Sequence, residues 1–415
     1  MPPRNIRSDQ LAEVLPPGGL TWLQACSAES FLLRDAILAS GDRLGDMTFT
    51  GIFVPGLNRM DYIVREGRRA KTFFLTPELK AAADRTEFLP FCYREIIDHL
   101  YGQTISAALF MASPPDENGL CSIGPVGDFV PDFWQSVPIR IAHINPAVPP
   151  THGYSRIPYA ELTAVIEGEQ PLLTSNTGAP DAVTEAIGRN TAELVPDGAT
   201  LQTGLGRIPD AALRGLTAHR NLRIHSGLIG DAVVDLLDAG ALVPDQCITT
   251  GVAIGTQRLY DAVVSGRFHF RPATFTHSYS VLAGLEKFVA INSTAEIDLL
   301  GNAFSEHTPK GLASGPGGAS DFAAGAIGRG GMRIIVMPST VNAGKTSRIV
   351  PPGGSGPVSL NRFDIDFVVT EHGVADLRQK SHSARAEALI DVADPAHRTM
   401  LEQAWRDWNH RFLGI

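Results

Sequence analysis

The sequence of 415 residues predicts an α/β fold built on mostly parallel sheets. Three features point there. Near-continuous apolar runs recur along the chain, glycine follows most of them, and segments with helical spacing come next. Such strands are covered on both faces, which is why they do not alternate in polarity. At about 150 residues per domain the length implies two domains.

In chain order, Ala107–Ala112 reads as a strand leading into the loop Ser113-Pro-Pro-Asp-Glu-Asn-Gly119. Arg140–Asn145 is a second strand, running into the extended connector Pro146–Tyr154. The break Thr174-Ser-Asn-Thr-Gly-Ala-Pro180 precedes a helical Asp181–Ile187, so the boundary is expected between domains 1–175 and 176–415. Leu201-Gln-Thr-Gly-Leu-Gly206 is a strand and a glycine turn before a helix opened by Ile208-Pro209. Asn221–His225 is the next run, and a helix over Asp231–Leu237 stops at Gly240. Phe288–Asn292, Arg333–Met337 and Asp366–Thr370 are further strands, the last followed by Glu371-His-Gly373 and a helical Val374–Arg378. Ligands of such sheets bind beyond the carboxyl ends of the strands, which directs attention to these turns.

Hydrophobic residues make up 44% of the chain and charged residues 19%, enough for large cores and too apolar for a disordered chain. The formal charge is 35 − 44 = −9 with no basic stripe, which argues against a general nucleic-acid binder. The N-terminus lacks an apolar secretory region, and no stretch approaches 18 uninterrupted apolar residues, so a cytoplasmic protein that meets no membrane is expected. Cys26, Cys92, Cys121 and Cys247 form no CxxC pair and read as buried thiols. None of the 12 histidines sits in HExxH or beside a cysteine in a metal-like spacing, so no metal is expected.

Two glycine clusters are candidate anion or oxyanion sites. Thr203-Gly204-Leu205-Gly206 can aim backbone N–H groups at a negative charge, although on the spacing alone a tight turn is the stronger reading. Ser314-Gly315-Pro-Gly317-Gly318-Ala-Ser-Asp321 allows close backbone approach, and a turn capped by Asp321 is the competing reading. Gly344-Lys345-Thr-Ser-Arg348 puts two cations together but lacks the first glycine of a phosphate loop. Glu371 and His372 follow a strand, where catalytic acids and bases often sit. Ser226 is adjacent to His225 and so points to the opposite face of a strand, which favours a structural role for it. A dinucleotide fold fails because Gly-Leu-Gly-Arg-Ile-Pro lacks the third glycine.

Taken in order, these stretches resemble the acetyl-CoA hydrolase/4-hydroxybutyrate CoA-transferase family. The resemblance rests on Thr200–Pro209, His225–Leu236, Ala290–Leu299, Gly315–Phe322, Ser347–Pro351 and Val369–Arg378, with Ser113–Ser122 in the first half. It implies two similar open α/β domains of the CoA-transferase type, acyl-CoA as substrate, a small carboxylate as second partner, and a homodimer. It implies catalysis by a glutamate that attacks the thioester, with two backbone N–H groups stabilising the oxyanion. Those donors fall on Leu205 and Gly318. Gly204, Gly206, Gly315, Gly317, Lys345 and Arg348 are then expected to contact the CoA moiety.

The nucleophile is where this chain departs from the family. The family's His-[Ser/Thr]-Glu stretch here reads His225-Ser226-Gly227, and the flanks match without a shift of register. Gly227 has no side chain with which to form an acyl-enzyme. Glu296 belongs to a separate stretch and is not promoted in its place. Three readings follow. The first is hydrolysis by water admitted where the carboxylate is missing, with Glu371, His225 or Asp231 as base. The second is a non-catalytic acyl-CoA-binding relative. The third is CoA transfer through another carboxylate.

Overall fold

The computed structural model describes residues 2–154, 156–308, 311–412 and 414. Its chain forms two compact units, Met1–Asn176 with Ile248–Thr276, and Thr177–Cys247 with His277–Ile415. The segment 248–276 thus belongs to the first unit although the second flanks it on both sides.

The first unit holds an eight-stranded sheet in the order Arg4–Asn5, Ala164–Glu167, Ile139–Ile144, Ile105–Ala112, Leu20–Leu23, Thr48–Gly51, Arg69–Thr72 and Thr86–Phe88. Every neighbouring pair is parallel. Ile105–Ala112 lies inside the sheet and seven of its eight residues are buried, as its unbroken apolar run requires. Leu33, Ala36 and Ile37 of the helix Phe31–Ser40 pack on Leu23, Phe49 and Leu109. That helix begins at Ser30, whose hydroxyl accepts the Leu33 N–H at 3.0 Å. Ile248–Ala253 and Phe268–Phe270 form a further parallel pair in this unit.

Two buried carboxyl groups of this unit had no sequence signal. Burial pushes Asp128 well above the ordinary carboxylate range, and the nearby Asp132 charge adds to it. Burial also raises Asp132 to about 6, against the hydroxyl of Thr274, which donates to it. Between about 4 and 6 the folded chain keeps a proton on Asp132 that the unfolded chain has lost, so stability falls as pH rises through that window. The parent is expected to lose about 2 kcal/mol more than Asp132→Asn between pH 4 and pH 8. Urea denaturation at both pH values measures it, and parallel losses would refute it.

In the second unit the strand order is Arg223–Ile229, Thr200–Thr203, Phe288–Ser293, Met332–Val336, Phe367–Thr370 and Gly373–Asp376. The first five run parallel and the last pairs antiparallel with its neighbour. The helix expected over 374–378 is therefore largely a strand. Thr370 pairs with Gly373 across a two-residue turn, the Thr370 hydroxyl accepts the His372 N–H at 3.1 Å, and Gly373 has φ +137°. Four residues of mixed polarity do not separate the two periods, and pairing with a neighbour decides between them. The run expected to end at His225 continues as strand to Ile229, which carries Gly227 within it.

The helices Ala182–Ala192 and Arg207–Arg214 pack with almost no space between backbones. A Cβ on Gly188 would lie 2.6 Å from the Ala211 carbonyl oxygen, and one on Gly215 2.3 Å from that of Gly188. Close contact of this kind holds the second half of the 207–214 helix against its neighbour, and the glycine turn leads into the start of the same helix. On the other side of the unit, Leu401 and Trp405 of the helix Pro395–Phe412 join Ile335, Val368 and Leu389 in one core. All four cysteines are buried thiols. Among the described residues no helix is long and apolar enough to cross a membrane.

Candidate active site

The first glycine turn lies where the strand Thr200–Thr203 gives way to the helix Arg207–Arg214. Gly206 caps that helix at φ +126°, a backbone state that disfavours any side chain. Gly204, Leu205 and Gly206 are each half-buried, so their N–H groups are within reach of a ligand. The helix is fastened below the turn: Thr177 Oγ1 donates to Asp210 Oδ2 at 2.6 Å, and burial raises the Asp210 carboxyl.

The neighbouring strand presents His225, Ser226 and Gly227. Ser226 Oγ donates to the Thr203 carbonyl at 2.9 Å, which ties the strand to the root of the glycine turn. Its role is structural. His225 is 4% exposed and sets its ring edge-on to Phe288, with centroids 6.3 Å apart.

Gly227 lies two residues further along on the same face of the strand as His225. The space above it is filled. A Cβ on Gly227 would lie 2.5 Å from His277 Cε1 and 2.6 Å from His277 Nε2. The same ring closes on the second glycine cluster, where a Cβ on Gly318 would lie 2.9 Å from Nε2. Gly318 caps the short helix Ala319–Gly325, and Phe322 of that helix lies against the histidine with centroids 4.6 Å apart. The expectation of open space for water at Gly227 is corrected here: an imidazole edge stands over the glycine backbone. Gly227 and Gly318 admit that ring because neither has a side chain.

His277 is the residue the sequence did not reveal. It sits in Phe275-Thr-His-Ser278, outside every motif, and only the fold brings it to the strand. Asp231, also expected near the site, caps the helix Ala232–Asp238 and is half-buried.

The remaining expected residues are used differently. Glu371 ends the strand Phe367–Thr370 and accepts two bonds from Ser339, the backbone N–H at 2.9 Å and the hydroxyl at 2.6 Å. Its two oxygens each serve a local structure, which leaves it poorly placed as a base. Glu296 accepts the backbone N–H of Ser355. Arg348 turns inward: Nε donates to the Ala295 carbonyl at 2.6 Å and Nη2 to that of Thr294. Burial lowers its pKa, while the charges of Glu371 and Glu296 oppose that shift. Lys345 is exposed near the tip of the Thr340–Ser347 hairpin, so the fold separates the two cations. Gly315 is buried and Gly317, at φ +64°, is half-buried. Among the described residues no group of three or more His, Cys, Asp or Glu is placed to hold a metal ion.

Residues 255–405 match the family model of the acetyl-CoA hydrolase/transferase C-terminal domain. The chain is 37% identical over 335 residues to the 4-hydroxybutyrate coenzyme A transferase of Clostridium kluyveri, covering 76% of each chain. This chain belongs to the acetyl-CoA hydrolase/4-hydroxybutyrate CoA-transferase family. Solved structures agree across nearly its whole length. RipA from Yersinia pestis has a TM-score of 0.89 at 26% identity, over 98% of both chains. A 4-hydroxybutyrate CoA-transferase from Porphyromonas gingivalis has a TM-score of 0.80 at 29% identity, over 97% of both. The fold is CoA-transferase-like, as expected, and the family's members are enzymes that act on acyl-CoA.

Proposed function

We propose that this protein hydrolyses acyl-CoA thioesters of small carboxylic acids by direct attack of water, without a glutamyl intermediate. What supports the reading is the glycine at 227, whose flanking residues resemble the family's nucleophile stretch. No carboxylate can be regenerated there by a change of rotamer, because the residue has none and an imidazole fills the space. Glu371 and Glu296 are engaged by Ser339 and Ser355, so neither is offered as a replacement nucleophile.

The thioester carbonyl is placed between the two glycine clusters, with the N–H groups of Leu205 and Gly318 as oxyanion donors. Such donors are worth about 10²- to 10³-fold each, because they are fixed before the charge develops. A site that keeps them without its nucleophile retains useful acceleration over water, about 10³- to 10⁴-fold. Gly204, Gly206, Gly315 and Gly317 let the backbone approach the CoA moiety, and exposed Lys345 is the cation offered to its phosphates. Arg348, committed to two carbonyl groups, is withdrawn from that role.

The test is a panel of acyl-CoAs, with and without acetate, followed by free thiol and by exchange of labelled acetate. Hydrolysis predicts thiol release that acetate does not increase and no label in acyl-CoA. Label appearing in acyl-CoA would establish transfer instead. CoA binding without any thiol release would establish a non-catalytic relative.

A further inference from the structure

We infer that His277 is the general base of this site, the group that replaces the family's carboxylate in function as it does in space. The inference rests on the hydrolytic reading above and names the residue that activates the water. It comes from one juxtaposition: the Cε1–Nε2 edge of His277 lies over Gly227 while Nε2 also faces Gly318.

Nε2 is within 2.6 Å of the point where a side chain at 227 would begin and 2.9 Å of the same point at 318. It therefore stands between the position that should attack and a donor that should hold the oxyanion. A base must reach the attacking water while that water reaches the carbonyl carbon, and we place the water beside this ring edge. The ring is 7% exposed and braced by Phe322, whereas Gly227 and Gly318 are half-buried. Bracing fixes the ring in one orientation, which a positioned base needs. A histidine kept only to fill space could be any residue of that volume. The two glycines that admit it also bring a titratable nitrogen to the reacting centre.

The step balances without any co-reactant. Neutral Nε2 takes a proton from water as the water oxygen bonds to the thioester carbon, and the carbonyl becomes an oxyanion. The oxyanion collapses, the C–S bond breaks, and the imidazolium returns its proton to the departing CoA sulfur. The products are the carboxylic acid, which ionises in water, and free CoA thiol. The ionisable side chains on the two elements facing His277 are Arg223 and His225 on the 223–229 strand and Asp321 on the 319–325 helix. Of these only His225 is a second imidazole, so the pH profile must be read on variants of both histidines.

The experiment uses the full chain and an acyl-CoA that the parent hydrolyses. His277→Gln is expected to lower kcat by about 100-fold or more with KM little changed, as loss of a general base does. In the parent, kcat/KM should rise with pH along one limb as the base loses its proton. That limb should vanish in His277→Gln and persist in His225→Gln. Added imidazole should restore part of the rate to His277→Ala and none to the parent. Thiol release by a folded His277→Gln at the parental rate would overturn the inference and leave hydrolysis standing. A burst of thiol equal to the enzyme, or no turnover by the parent, would overturn both. The parental pH limb is read without any substitution, so a variant that misfolds does not remove the test.

Discussion

Gly227→Glu alone is expected to leave the protein without CoA-transferase exchange, whereas Gly227→Glu combined with His277→Gly is expected to gain it. The reason is steric before it is chemical. A Cβ at 227 would meet His277 at 2.5 Å, and the carboxylate beyond it would have to pass through the same ring. Forcing a side chain into a filled site costs about 1–3 kcal/mol in distortion, so the single variant should be less stable and still inactive in exchange. Removing the imidazole returns that volume. A carboxylate at 227 then meets the thioester opposite the Leu205 and Gly318 donors, and acyl exchange becomes covalent. Nucleophiles of this kind are worth many orders of magnitude, so labelled acetate should enter acyl-CoA at least about 10³-fold faster than with Gly227→Glu alone. Hydroxylamine should trap an acyl group at position 227 in the double variant only. Exchange by the single variant would mean the ring swings aside freely, and a folded but inert pair would mean that more than one residue has been lost.

The parts of the fold that were legible are those whose signal is local. Phe288–Ser293, Met332–Val336 and Phe367–Thr370 are buried on both faces, and burial writes itself into the sequence as unbroken apolar runs. The glycine turns were legible because few residues other than glycine adopt φ +126° at 206 or +64° at 317. Partner choice over long separations was not. Val374–Asp376 became a strand because Val369 was there to pair with it, and the extension of the 223–229 strand owes as much to Thr203 as to its own residues. The glycine at 227 could be read from one position. Its counterpart at His277 could not, since no spacing rule connects a strand glycine with a histidine from a distant loop. Nor did any composition shift mark 248–276 as part of the first unit.

Arg348→Met is expected to destabilise the protein by about 3 kcal/mol, an effect on folding and not first on ligand binding. Sequence spacing paired this residue with Lys345 as a phosphate contact, but its guanidinium donates to the carbonyls of Thr294 and Ala295. Its own backbone N–H donates to the Ser339 carbonyl at 2.8 Å, and its carbonyl accepts the Ile297 N–H at 2.9 Å. Ser339 in turn holds Glu371 through its N–H and hydroxyl. One arginine thus joins three segments that converge beside the carboxyl ends of the strands. Methionine keeps the length and the apolar stem but strips the donors. Two carbonyl oxygens then lose charged partners, and Glu371 and Glu296 lose the cation whose field they share. Each hydrogen bond lost from a charged donor costs about 1.5–3 kcal/mol, because the carbonyl oxygen stays desolvated without a partner. Two such bonds at the lower value give about 3 kcal/mol. Guanidinium denaturation should show a lower midpoint at unchanged slope. A variant as stable as the parent that raises KM for acyl-CoA would instead return Arg348 to the ligand.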